Sequence, residues 1–234
     1  MHTDFEQKGR HSTAFLVVAA AFVSTLIVSN IISFKLISLW GWIVPAAVIV
    51  FPISYILGDV FTEVYGYARA RIIIWLGFAC NLAVVGFIAA SVALPPASFW
   101  PHQEAYAQVL SYMPRLLVAS FVAYLVGEFT NAFILAKLKV VTQGRHLWSR
   151  TIGSTLVGQA LDSAVFMSIA FIGVLPPEAL ITAAVTQWAI KSGYEVLATP
   201  LTYLVVGYLK RYEGMDVYDR NVSFNPFRLK SSQP

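Results

Sequence analysis

Charge is what this chain has least of. Only 12% of its 234 residues are Asp, Glu, Lys or Arg, 58% are hydrophobic, and the mean hydropathy is +0.69. A soluble surface needs roughly a quarter to a third of its residues charged, so a soluble two-domain enzyme is excluded. Cysteine is almost missing as well. The lone Cys80 lies in an apolar run, which rules out an intrachain disulfide and any multi-cysteine zinc site, and it reads as a small packing residue. The four histidines, His2, His11, His102 and His146, fall outside the apolar runs. That argues against a metal centre or a Ser-His hydrolase site within those runs, and no cofactor is expected.

Long apolar sequence is what the chain has in plenty. Six runs could cross a hydrocarbon core, which takes about 20 helical residues. They are approximately 12–36, 41–62, 70–95, 115–138, 151–175 and 179–209. The expectation is one all-α domain over 1–234, an integral membrane bundle of six transmembrane helices. The first run is too long for a signal-peptide core and has no clear cleavage site after it, so it counts as a helix. Trp40-Gly41-Trp42 marks a turn at a membrane–water interface, and Pro176-Pro177 marks another break. The stretch from Pro95-Pro96 to Pro114 reads as an external loop with a short surface helix around 102–111. Pro52 and Pro200 each remove a backbone donor inside a run, freeing the carbonyls of Val48 and Val196. Such breaks serve either binding sites or packing kinks.

Basic residues set the orientation. With the N-terminus inside, thirteen of the sixteen Lys and Arg residues fall on the cytoplasmic side. The opposite arrangement would translocate nearly all of that charge, so both termini are expected to be cytoplasmic. The net charge of +4 reflects the same bias, with lipid headgroups as its partner and no nucleic acid required.

Against this apolar background the few polar residues inside the runs stand out. Gln187, Lys191 and Glu195 recur every four residues and share one helical face. Ionisable groups at mid-membrane depth usually face a bundle interior or a polar cavity. Lys191 and Glu195 are spaced to pair with each other, either as a structural ion pair or as part of a site. Gln159, Asp162 and Ser163 line one face of the fifth run, Glu128 and Asn131 repeat the arrangement on the fourth, and Asn30 sits on the first. A shared cavity is the economical explanation, and Trp188, Phe34 and Phe166 add flat apolar faces. The inventory of acceptors, donors and rings suits a neutral or weakly basic polar heterocycle. Nearer the inner boundary, Asp59 and Glu63 lie one turn apart within reach of Arg69 and Arg71, as an interfacial ion-pair cluster or a gate. Ala79, Ala83, Gly86 and Ala90 suit close helix packing, and the third run could pair two copies as a homodimer.

Several blocks together resemble the queuosine precursor transporter family. They are Phe51-Pro52-Ile53-Ser54-Tyr55, Gly58-Asp59 through Gly66, Arg71 to Gly77, and Ser154 through Asp162. The run Lys191 to Tyr203 and the tail segments Asp216-Val217-Tyr218-Asp219 and Phe224-Asn225-Pro226-Phe227 complete the match. The family is also described as a vitamin-uptake-type group, similar in architecture to substrate-binding subunits of energy-coupling-factor transporters. The resemblance implies a multi-pass protein of the bacterial inner membrane, not an enzyme, that imports 7-cyano-7-deazaguanine or its aminomethyl relative for queuosine salvage. The expected substrate-binding residues are then Asn30, Glu128, Asn131, Gln159, Asp162, Gln187, Trp188, Lys191 and Glu195, with Asp59, Glu63 and Arg71 as gate or ion-pair candidates. One alternative is a binding subunit that needs an ATPase module, with Ala20, Ala21, Ser24 and Thr25 as a docking face. An intramembrane aspartyl protease is the enzyme alternative, although the sole Gly-Asp is Gly58-Asp59 and no Gly-x-Gly-Asp occurs.

Overall fold

The computed structural model describes residues 12–32, 35–39, 42–110, 114–173, 175–220 and 222–228. At 36, 38–39, 42–45, 48, 51–52 and 114–117 it describes the backbone alone. The expected interfacial turn at Trp40-Gly41, and Phe34, lie outside the described residues. Among the described residues, four helices are long and apolar enough to cross a membrane: α1 (Thr13–Ile32), α3 (Tyr67–Ala93), α5 (Pro114–Val141, its span being Val118–Val141) and α6 (Leu147–Phe171). A fifth long helix, α7 (Pro177–Glu213), carries the Gln187–Lys191–Glu195 row midway along its 37 residues. The short surface helix α4 (Gln103–Leu110) sits where the loop was expected to form one.

The second apolar run is the exception. It does not form one membrane-length helix. Leu36–Leu39 (β1) and Trp42–Pro45 (β2) pair as an antiparallel hairpin, with Leu36 opposite Pro45 and Leu39 opposite Trp42. A 3₁₀ turn (Ala46–Ile49), a ten-residue helix α2 (Phe51–Val60) and a π-helical turn (Phe61–Tyr65) follow. Pro52 therefore stands in the first turn of a helix, where no backbone N–H is missed, rather than breaking a span. Pro200 is the interior proline, inside α7.

Local chemistry explains the ends. Ser12 caps α1 by accepting the Phe15 N–H at 3.0 Å. The start of α3 is capped from far away: Gly66, at φ +82°, turns the chain, and the Tyr67 N–H donates to Asp219 Oδ2 at 2.9 Å. Only glycine suits Gly66, because a Cβ there would also stand 2.7 Å from Val217 Cγ1. Gly214, at φ +62°, ends α7 in the left-handed conformation common after helices.

One end of the bundle collects the basic residues. Ser12 and Tyr65 both donate to Glu213, the latter at 3.1 Å, so the start of α1, the π turn and the end of α7 meet there. Lys139 of α5 and Arg150 of α6 join them through Glu63. It follows that α1, α3 and α6 run away from this basic end, while α2, α5 and α7 run toward it. Phe15, Phe22, Val60, Phe61, Val64, Ile73 and Val206 form the apolar core between them. The tightest approach is between α5 and α6. A Cβ on Gly127 would stand 2.7 Å from Asp162 Cβ, and one on Gly158 would stand 2.9 Å from Asn131 Cβ. Small residues thus bring the two polar rows face to face. Ala79, Ala83, Gly86 and Ala90 do not serve that purpose: all four are exposed on the outer side of α3, and Gly86 has nothing within 4 Å of its Cβ position.

Candidate functional site

Because α5 and α6 touch at glycines, the residues beside those glycines are forced together. Asn131 Nδ2 donates to Asp59 Oδ1 at 3.0 Å, linking α5 to α2. Thr155 Oγ1 reaches Asn131 Oδ1 at 3.5 Å, which extends the link to α6. Glu128 lies against α2: a Cβ on Gly58, the residue before Asp59, would stand 2.6 Å from Glu128 Oε1. Glu195 of α7 comes within hydrogen-bonding reach of the Asp59 carboxyl. Four carboxylates from α2, α5, α6 and α7 therefore converge, and the Tyr55 side chain lies among three of them, Glu128, Asp162 and Glu195.

Among the described residues Lys191 is the cation of this cluster, and it does not pair with Glu195 as the four-residue spacing suggested. It forms a salt bridge with Asp162 across the α6–α7 interface. A partner one turn away on the same helix loses to one on the facing helix, because helices packed side by side bring opposed side chains head to head. The two ends of the cluster also differ in access. Lys191 and Asp162 keep 16% and 18% of their side-chain surface exposed, whereas Glu195 and Asp59 keep 1% each. Trp188 stands one turn before Lys191 and donates its indole N–H to the Leu156 carbonyl at 2.9 Å. The side-chain oxygens of Gln159 and Gln187 are buried and accept no hydrogen bond among the described residues. Asn30 goes elsewhere: its Nδ2 donates to Asn81 Oδ1 on α3 at 2.5 Å, and Asn81 in turn donates to the Gly77 carbonyl at 3.0 Å.

The expected partnership of Asp59 and Glu63 with Arg69 and Arg71 is not what forms. Asp59 turns into the cluster just described. Glu63, on the π turn and fully buried, receives Arg150 Nη2 and Lys210 Nζ at 2.7 Å each, with Lys139 Nζ at 3.6 Å. Asp216, just past the end of α7, takes Lys139 at 2.6 Å and Lys210 at 2.9 Å. Arg71 is buried and donates to two tail carbonyls, Ser223 at 2.9 Å and Asn225 at 2.7 Å. Tyr67 OH and Trp75 Nε1 hold Phe224 and Pro226 in the same way. Arg69 rests over the Phe15 ring at 5.8 Å. Partial burial alone would raise Asp216, but hydrogen bonds from Lys139 and Lys210 outweigh it and hold this carboxyl below the ordinary aspartate range. Burial pushes Asp219 up, opposed by the Tyr67 N–H.

Sequence reasoning missed Thr155, Asn81, Arg150, Lys139 and Lys210 as members of these networks. The three cations were visible as clustered charge and were counted only toward orientation. Nothing in the local pattern shows that one glutamate gathers them.

A family described as "Putative vitamin uptake transporter" matches residues 45–205. The chain is 26% identical over 176 residues to a "Probable queuosine precursor transporter" of Bacillus subtilis, covering 75% of this chain and 77% of that protein. It is 27% identical to a "Queuosine precursor transporter" of Escherichia coli, over 52% of each chain. A "Probable queuosine precursor transporter" of Haemophilus influenzae is 28% identical over 59% of this chain and 54% of its own length. No solved structure matches the chain.

Proposed function

The chain belongs to the family described as "Putative vitamin uptake transporter", and from that premise we propose that it imports a queuosine precursor, a 7-deazaguanine base, across a bacterial cytoplasmic membrane. It is a transporter with several apolar helices and not an enzyme, so the protease alternative falls. The six directional passes described above, the short second pass included, cross the bilayer with the basic end inside. That orientation keeps Lys139, Arg150, Lys210 and the tail on the cytoplasmic side.

One observation carries the substrate reading: the Asp162–Lys191 pair, partly accessible and flanked by Trp188 and the unpartnered amide oxygens of Gln159 and Gln187. A deazaguanine offers N–H and NH₂ donors on one edge and a carbonyl on the other. Inserted at the pair, its donors meet Asp162 and the glutamine oxygens, its carbonyl accepts from Lys191, and the ring lies against Trp188. The ligand thereby replaces a bond between two charged groups with two charge-assisted bonds of its own. Glu195 and Asp59 lie a turn or more deeper and sealed, outside the substrate's contacts. Either the cyano or the aminomethyl base satisfies this pattern.

Binding of both bases to purified protein, and their uptake by the chain alone in reconstituted vesicles, tests the reading. Hydrogen bonds to charged groups contribute about 1.5–3 kcal/mol. Asp162→Asn and Lys191→Met should therefore each weaken binding about 10- to 100-fold. Wild-type affinity in both variants removes the pair from the site, and failure of the wild type to bind either base refutes the substrate. Uptake without any other protein excludes an obligatory ATPase partner.

A further inference from the structure

The substrate pair leaves two buried carboxyls unused, and among the described residues no cation forms a salt bridge with either. Glu195 is 1% exposed, and neither of its carboxyl oxygens receives a hydrogen bond from another side chain or backbone donor among the described residues. Asp59 is equally sealed. Its Oδ1 accepts from Asn131, while Oδ2 is unpartnered. The two carboxyls are within hydrogen-bonding reach of each other. Ionised, both would be pure acceptors, with nothing to put between them. The charged and titratable groups around them deepen the problem. Glu128 of α5 lies near both, and Asp162 of α6, beyond Glu128, is already neutralised by Lys191 of α7. Tyr55 of α2 approaches Glu195, Tyr124 of α5 approaches Glu128, and α1 presents the apolar ring of Phe22 beside Gly58. Two neighbouring carboxyls sealed from solvent, each 1% exposed, leave room for one ligand, a proton.

We propose that Asp59 and Glu195 form a proton site in which one exchangeable proton is shared between the carboxyls and moves with each substrate crossing. The inference rests on the transport reading above and adds its energy source. The structure also supplies a connection between the two sites. Glu195 is one turn from Lys191 on α7, and Asp59 is joined through Asn131 to Thr155, which stands two turns before Asp162 on α6. A rearrangement of α6 against α7 that opens the substrate pair must therefore disturb the proton pair. When that disturbance exposes the pair to the opposite face, the proton leaves. Asp59 lies at the end of the short helix α2, directly before a π turn, a local geometry frequent at functional sites.

Two measurements decide it. The first needs no substrate: infrared spectroscopy of purified wild type near neutral pH should show a protonated-carboxyl band that Glu195→Gln and Asp59→Asn each remove or shift. The second uses radiolabelled 7-cyano-7-deazaguanine in vesicles with an imposed pH gradient, acid outside. One proton per base supports about tenfold accumulation per pH unit. The wild type should reach that level, and either variant should bind the base within about twofold of wild type yet only equilibrate it. Absence of the band, or wild-type accumulation that ignores the gradient, overturns the proposal. So does gradient-driven accumulation retained by both variants. Should one variant fail to fold, the other still gives both readouts. Failure of the wild type to bind the base refutes the substrate reading instead, and the infrared band then decides the proton site by itself.

Discussion

Replacing Glu63 by Gln should loosen the basic end of the bundle by about 3 kcal/mol, and the number follows from who loses a partner. Removing one member of a buried ion pair costs about 3–5 kcal/mol, because the remaining charge stays buried. Three cations share this carboxylate, but they are not equally dependent on it. Lys139 keeps Asp216 at 2.6 Å, the Val217 carbonyl at 2.7 Å and the Glu63 backbone carbonyl at 2.5 Å. Lys210 is 23% exposed and keeps Asp216 at 2.9 Å, so its share is below about 1 kcal/mol. Arg150 is 1% exposed and retains the Arg145 carbonyl and the Thr142 hydroxyl, but Glu63 is its carboxylate. The loss therefore concentrates in Arg150 and falls at the lower edge of the range. For a chain of this size about 3 kcal/mol corresponds to a fall in melting temperature of about 6–12 °C. Thermal denaturation in detergent, followed by size-exclusion recovery, reads it directly. Lys210→Ala should cost less than a third as much. Glu63→Gln combined with Arg150→Met should cost less than the sum of the two single changes, since no unpaired charge is left. A Glu63→Gln melting point within about 2 °C of wild type, or a Lys210→Ala variant as damaged as Glu63→Gln, refutes the reasoning.

Two further outcomes are expected. Gly158→Ala drives a methyl toward Asn131 Cβ and the Gly127 carbonyl. It should cost about 1–3 kcal/mol and, by prising α5 from α6, lower the uptake rate more than a substitution at exposed Gly193; equal rates for the two would show that the close approach is dispensable. Asp216 supports the tail only when ionised. With its titration held below the usual aspartate value by the lysines, that support is complete above about pH 4 and fades as acidity drives the carboxyl through its lowered folded-state value. Proteolysis near residues 214–220 should accordingly rise on acidification in the wild type and be high at every pH in Asp216→Asn; a wild-type profile flat through that window contradicts it.

The bundle was readable from hydropathy wherever a run stayed apolar and unbroken. The 41–62 run misled because a hairpin, a 3₁₀ turn and a ten-residue helix have the same average hydropathy as a single span. The polar cluster was legible as a set, since mid-run Asp, Glu and Asn have few tolerable surroundings in lipid. Its internal pairing was not. Spacing reveals partners on one helix, so Lys191 was matched with Glu195, whereas the choice of Asp162 depends on how α6 and α7 face each other. Arg71 shows the same limit from the other side. Its charge suggested Asp59 or Glu63, and its actual partners are the backbone oxygens of Ser223 and Asn225, which carry no side-chain signature.

The cap on α3 has a consequence for biosynthesis. Tyr67 emerges from the ribosome long before Asp219, its acceptor 152 residues later, so the nascent protein must place α3 with that amide and the Arg71 guanidinium still hydrated. The segment around Asp219 then acts as a clasp that closes only after those later residues have been made. Chains stalled or clipped before Asp219 would insert in the bilayer yet expose this unfinished corner, a mark by which a quality-control protease could tell immature copies from completed ones.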